Sequence, residues 1–244
     1  MNSEYDNEIF FEEYAKMSRS KDGLRSAGEW HQLKPMFPSL QGRRVLDLGC
    51  GYGWHCKFAA EQGAAQVLGI DLSRKMIEEA RKRNADTRIE YRVLGIEEYE
   101  YPENMWDCVV SNLALHYIAD IENIFQKVYR TLRPDGVFIF NMEHPVFTAG
   151  VGQDWIYAED GRPKYWPVDQ YFIPGERSTH FLGCDVVKQH HTLTQILMGL
   201  LNHGFELKAV EEAKPPREMM DIPGMQDELR RPMMLLGKAV ARKG

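Results

Sequence analysis

The chain of 244 residues lacks the features that several functional classes require. No two of its four cysteines, Cys50, Cys56, Cys108 and Cys184, form a CxxC pair. No disulfide framework and no metal site are expected, and free thiols in a reducing cytoplasm are. There is no block of Lys and Arg, and the formal net charge is −6. Binding nucleic acid irrespective of sequence depends on neutralising phosphates, so a nucleic-acid partner is not expected. No apolar run reaches the roughly 18 residues of a membrane span, so no membrane association is expected. The opening MNSEYDNEIFFEEY is acidic, with no basic stretch before an apolar one, so no signal peptide is expected. Internal repeats and low-complexity segments are also missing.

What is present is an ordered alternation. Amphipathic segments are expected over residues 8–17 and 27–36. Short apolar strands are expected over 43–48, 66–70, 88–93, 106–111 and 136–142. Helices are expected over 53–61, over RKMIEEARKRN with Ser73 as N-cap, and over 118–132. This predicts an α/β fold: a Rossmann-like, doubly wound sheet with helices on both faces. Such sheets bind ligands at the carboxyl ends of their strands, which gathers Asp47, Asp71, residues 95–98, Ser111, Asn112, Glu143 and His144 on one rim. The pattern breaks over 144–188, where Pro, Gly and aromatics show no clear period. A helix resumes over 192–202, and GFELKAVEEA and RPMMLLGKAVARK read as strands. Their link is short and proline-broken, so the pair is expected to be antiparallel. The expected sheet has seven strands, mostly parallel with an antiparallel last strand, and an aromatic-rich cap insertion after strand five. One domain is expected over 1–244: a helical N-terminal cap (1–40), a core (41–143), the cap insertion (144–190), and a closing helix and strand pair (191–244).

The run VLDLGCGYGWHC follows an apolar strand with Gly49, Gly51 and Gly53, and Asp47 stands two places before the first glycine. Glycines between a strand and a helix make a turn that a ligand can approach closely. A purely structural turn would read the same way. A dinucleotide site needs GxGxxG, and Trp54 stands where the third glycine would be. Asp47 would also put negative charge beside a diphosphate. S-adenosylmethionine has an ammonium, a sulfonium and no phosphate, so the same carboxylate favours it. Asp71 ends the next strand about 20 residues on, where an acidic residue takes ribose hydroxyls in either class.

The motifs VLDLGCGYG, LGIDLSRKMIEEAR, WDCVVSNLALHYIAD and LRPDGVFIF together resemble the class I S-adenosylmethionine-dependent methyltransferases. The resemblance spans about residues 42–142 and the C-terminal strands. It implies S-adenosylmethionine as cofactor and S-adenosylhomocysteine as product. It implies that Asp47, Gly49 and Gly51, with Cys50 and Gly53 in the same turn, line the methionine half. Asp71 would take the ribose, Leu72 and Met76 would flank adenine, and Ile96 and Glu97 would meet the adenine edge. Asn112 and Leu113 would lie under the sulfur, with Tyr14 and Arg19 at the methionine carboxylate. One departure is Gly95, where the family often has Asp; Glu97 is the substitute the sequence offers. The runs FFEEYAKMSRSKDGLRSAGEW, EHPVFTAG, WPVDQYF and RRPMMLLGKA further resemble a bacterial, small-molecule subgroup with a domain of the methyltransferase 11/25 type.

Methyl transfer is an in-line displacement, so the protein chiefly aligns the acceptor, excludes water and, for some acceptors, removes a proton. His116, Glu143 and His144 are the candidate catalytic groups on the rim. Trp155, Trp166, Tyr171, Arg177 and His190 are candidate substrate contacts, and the aromatics read equally as a small core beneath a long loop. His55 and Cys56 read as packing residues. A nucleic-acid enzyme acting on amino groups of bases would carry (Asp/Asn)-Pro-Pro-(Tyr/Phe), where this chain has Ser111-Asn112-Leu113-Ala114. The rival that stays open is a non-catalytic S-adenosylmethionine-binding module; a nucleic-acid methyltransferase and a nicotinamide oxidoreductase, which lacks the third glycine, are weaker alternatives. A small-molecule acceptor and a monomer or homodimer are expected.

Overall fold

The computed structural model describes residues 4–243. Seven strands form one sheet in the order β10-β11-β5-β4-β1-β2-β3. They are β1 (Arg44–Leu48), β2 (Gln66–Asp71), β3 (Ile89–Val93), β4 (Trp106–Asn112), β5 (Leu132–Glu143), β10 (Phe205–Glu212) and β11 (Met234–Ala241). The first five run parallel, and β11 is antiparallel to both β5 and β10. The seven-stranded sheet with its antiparallel last strand is as the apolar pattern implies. Strands β3 and β10 are the two edges.

Helices cover both faces. Helices α6 (Ile121–Thr131) and α8 (Leu193–Asn202) pack on one face through Ile124, Phe125, Val128, Ile196 and Leu200. The other face is covered by α3 (Trp30–Leu33), α4 (Trp54–Glu61) and α5 (Arg74–Arg83) through Leu33, Cys56, Ala59, Ile77 and Ala80. Local chemistry sets the boundaries. The Ser73 hydroxyl accepts the Met76 N–H at the start of α5, and three basic residues close that helix against its dipole. Asp120 caps α6, and Thr192 with Gln195 forms a capping box on α8. The helix expected from residue 118 starts later because a 3-10 turn, Leu115–Tyr117, precedes the Asp120 cap.

The N-terminal segment is more broken than its amphipathic pattern implies. It forms α1 (Glu8–Lys16) and α2 (Ser18–Asp22), and the segment expected over 27–36 is only α3 and a 3-10 turn. The cap insertion departs further from the irregular reading. After α7 (Pro145–Thr148) come two antiparallel hairpins, β6 (Ile156–Tyr157) with β7 (Pro163–Tyr165), and β8 (Gly175–Phe181) with β9 (Cys184–His190). The second hairpin turns at Leu182 and Gly183, whose φ angles of 50° and 79° suit a two-residue turn matched to strand twist.

Candidate functional site

The glycine turn joins β1 to α4. Gly49 and Cys50 both donate N–H groups to Ile70 O at 2.9 Å, which fastens the turn to β2. Gly51 has φ +52°, and a Cβ there would meet nothing within 4 Å, so the turn opens onto free space at its middle. Gly53 has φ +77°, and its Cβ would fall 2.3 Å from the Tyr91 hydroxyl. Only glycine serves there.

Asp47 is fully buried in β1. Cys56 donates its thiol to Oδ2 at 3.2 Å, and Oδ1 has no hydrogen-bond partner among the described residues. Burial pushes the carboxyl up to about 7. A buried carboxylate with one unsatisfied oxygen is a place for a cation or a donor. Asp71, at the end of β2, accepts Gly51 N–H at 2.9 Å and Ser73 N–H at 2.8 Å. Burial raises it to about 6 against those two bonds. Each of its oxygens keeps lone-pair capacity, which suits a vicinal diol. Leu72 is half-buried beside it, and Met76 is fully buried. Asp6 accepts from the Ser73 hydroxyl at 2.7 Å and Lys75 N–H at 3.1 Å, tying the N-terminal segment to this corner.

At the turn after β3, Ile96 is buried and Glu97 is exposed. The neighbouring Glu98 folds back instead, accepting Gly95 N–H at 3.3 Å. A Cβ at Gly95 would lie 3.4 Å from the Glu98 carboxyl, so Glu98 stands where an aspartate at 95 would reach. The sequence offered Glu97 among residues 95–98; it is Glu98 that folds back on Gly95.

At the ends of β4 and β5, Asn141 donates to Asn112 Oδ1 at 2.9 Å and to Glu29 at 3.2 Å. Leu113 follows with φ +55°. Glu29 is buried and accepts from Arg19 through both oxygens at 2.8 Å. Glu29 was not among the residues the sequence suggested, yet it connects Arg19 to the rim. Tyr14 packs edge-on against Tyr5 and Tyr52.

Two residues beyond Asn141, Glu143 meets Lys188 of β9 at 2.5 Å and Gln153 at 3.0 Å. Lys188 also donates to Gln153 at 2.9 Å. Burial raises the Glu143 carboxyl, but His116, Lys188 and Gln153 outweigh it and hold the group below its usual range. His116 lies with Nε2 4.0 Å from Glu143, and its Nδ1 accepts Glu143 N–H at 3.4 Å. Its proton therefore sits on Nε2, and burial keeps the ring neutral, with its pKa lowered to about 4. His144 caps α7: Nδ1 accepts Val146 N–H at 3.0 Å, and Nε2 lies 3.2 Å from Glu212 of β10. Burial lowers this ring despite Glu212.

The candidate substrate contacts divide into three groups. Trp155 and Trp166 come together with Phe147 around the Arg231 guanidinium, which lies 4.5–5.5 Å from the three rings. His190 bonds Thr148 at 2.7 Å and Tyr171 O at 2.8 Å, while the Tyr171 hydroxyl accepts Leu193 N–H at the start of α8. Arg177 donates to the carbonyls of Gln170 and Ile173 and so staples the loop before β8. All four cysteines are free thiols. Among the described residues no helix is long and apolar enough to cross a membrane.

A buried carboxylate with an unpartnered oxygen in β1, a carboxylate with spare acceptor capacity at the end of β2 and an open glycine turn between them have the chemistry that S-adenosylmethionine needs. Comparison with known proteins agrees. A methyltransferase-domain family matches residues 46–140. A crystal structure from Mesorhizobium loti, an S-adenosylmethionine dependent methyltransferase, is 41% identical with a TM-score of 0.82, covering 89% of this chain and all of that one. The chain belongs to the S-adenosylmethionine-dependent methyltransferases. A Listeria monocytogenes structure assigned to the same group is 49% identical with a TM-score of 0.86, covering 91% of the methyltransferase and all of that chain. A malonyl-[acyl-carrier protein] O-methyltransferase from Salmonella typhimurium is 34% identical over 155 residues, 62% of the methyltransferase and 59% of that protein.

Proposed function

We propose that the methyltransferase acts on a small molecule held over the ends of β4 and β5. The observation that supports this is the roof over that rim. Phe10 of α1 packs on Phe181 of the β8–β9 hairpin with centroids 5.9 Å apart, and the Tyr5 and Tyr117 hydroxyls lie 3.2 Å apart beneath them. A roof closed by two separate segments suits a ligand that can be enclosed, not a polymer lying across the surface. A location in the cytoplasm accords with the free thiols.

When bound, S-adenosylmethionine supplies an electrophilic methyl group on a sulfonium. In this reading Asp47 receives its ammonium, and Asp71 its ribose hydroxyls. Leu72 and Met76 flank adenine, with Ile96 and Glu98 at its edge. Arg19, held by Glu29, takes the methionine carboxylate. Asn112, oriented by Asn141, lies at the rim beside the acceptor. Glu143 stays a carboxylate and can orient an acceptor N–H or O–H or take its proton. His116 presents a proton towards Glu143 and does not itself serve as base. His144 accepts the Val146 N–H at Nδ1, and its Nε2, 3.2 Å from Glu212, makes no hydrogen bond among the described residues, so in this reading it shares the base role with Glu143. The roof excludes water from the transfer.

A thermal-shift titration tests the cofactor half. Saturating S-adenosylhomocysteine, at about 100 times its dissociation constant, should add roughly 2.7 kcal/mol of stability, and NAD should add none. Asp71→Ala should weaken that binding about tenfold or more by removing the ribose acceptor; unchanged affinity would displace the ribose from this corner. For the acceptor, labelled S-adenosylmethionine is incubated with the enzyme and a bacterial extract divided by size. Label in the low-mass fraction is expected, and label confined to RNA or protein would overturn the small-molecule reading.

A further inference from the structure

Cys56 has no obvious reason to be more than packing: it is fully buried in the first turn of α4. Its surroundings are nevertheless arranged around the thiol. Asp47 of β1 lies beside Gly69 of β2 in the parallel register. A Cβ at Gly69 would come within 2.7 Å of Cys56 Sγ and 3.0 Å of Cys50 Sγ. The missing side chain at 69 thus makes room for two sulfurs next to the Asp47 carboxyl. One of them donates to Asp47 Oδ2, and Oδ1, equally buried, is left without a partner among the described residues.

We propose that Cys56 is a positioning residue for the cofactor: its thiol holds one oxygen of Asp47 so that the other is presented to the ammonium of the methionine half. This rests on the assignment of Asp47 to the cofactor made above. The other ionisable groups facing Asp47 cannot do the same work. Asp71 at the end of β2 repels it, and Cys50, Tyr91 of β3 and Cys108 of β4 are neutral thiols or a neutral phenol held so by burial. No cation is among them. The Cys56 thiol is therefore the group that favours the charged form of Asp47 before the cofactor arrives.

The test is calorimetric affinity against pH for two ligands. S-adenosylhomocysteine carries the ammonium; 5′-methylthioadenosine shares the adenine and ribose but lacks the amino-acid half. Titration of Asp71, near 6, affects both ligands and divides out of their ratio. In the wild-type protein the ratio of affinities should rise with pH through about 7, the Asp47 value. Cys56→Ala should move that rise to higher pH and lower the affinity for S-adenosylhomocysteine at pH 6.5 by about three- to tenfold, because a donor to the carboxylate is lost. Methylthioadenosine should be unaffected, and Cys56→Ser should restore the wild-type profile. If Cys56→Ala does not fold, the nearly isosteric pair Cys56→Thr and Cys56→Val makes the same comparison of donor against no donor. Equal losses for both ligands, or an unmoved profile, would overturn the positioning role. Absence of S-adenosylhomocysteine binding by the wild-type protein would instead strike the cofactor assignment itself.

Discussion

Replacing Asp47 with asparagine should make the ligand-free protein more stable at pH 8 while weakening S-adenosylmethionine binding by about tenfold or more. The two effects share one cause. Burial raises the carboxyl from 3.8 to about 7, and no cation among the described residues faces it in the free protein. Between those values the folded protein keeps a proton that the unfolded chain has released. Folding stability therefore falls as pH rises from about 4 to about 7, and the full cost is present above 7. A tenfold change in proton affinity corresponds to about 1.4 kcal/mol, so the cost is on the order of 2–4 kcal/mol. Asparagine removes that charge and keeps the shape. Urea unfolding without ligand should show Asp47→Asn and wild type alike near pH 4 and separated at pH 8. Equal stability at pH 8 would mean that the carboxylate already has a compensating partner.

Lys188→Met should have the opposite character, a loss of stability on the order of 3–5 kcal/mol at neutral pH. Lys188 and Glu143 have side chains only 5% and 9% exposed and meet at 2.5 Å. Removing the cation strands a buried carboxylate, which is worse than never having buried the pair. The double variant Lys188→Met/Glu143→Gln should recover much of the loss. The pH dependence follows from the depressed Glu143 value. Its contribution is present above the ordinary carboxylate range near 4.5 and is lost as pH falls through the folded value. In Lys188→Met that contribution should vanish. Urea unfolding of the single and double variants at pH 7 decides it. A double variant no more stable than the single one would show that the methionine, not the stranded charge, is at fault.

The sheet and the glycine turn beside two acidic residues were legible because their signals are local. Apolar runs end at Asp47 and Asp71, and the glycines between β1 and α4 announce a ligand-facing turn. The cap insertion was expected, but the hairpins within it were not legible, for a physical reason. Strand β9 alternates strictly, but Lys188 and His190 occupy its inward positions, and each is satisfied by a distant partner, Glu143 or Thr148. Polar residues on the buried face erase the period by which a strand is recognised. Its hairpin turn carries Leu182 where Asn, Asp or Gly would have signalled it. Long-range bonds hid other residues as well. Glu29 joins Arg19 to Asn141, 112 positions away, and Cys56 reaches Asp47 in the space left by Gly69. Glu98 is set apart from its neighbour Glu97 by a bond to the Gly95 N–H that sequence does not display.

The two outer strands of the sheet bear on self-association. Along β3, Glu90 and Arg92 are exposed and paired with each other. Along β10, Lys208 is exposed within a register shift between Leu207 and Ala209, and Glu211 and Glu212 are exposed beyond it. A second copy adding its own strand to either rim would have to desolvate those charges, and on β10 it would meet an interrupted ladder. Both edges are thus disfavoured for growth by strand addition. The unpaired backbone along each edge therefore stays in water.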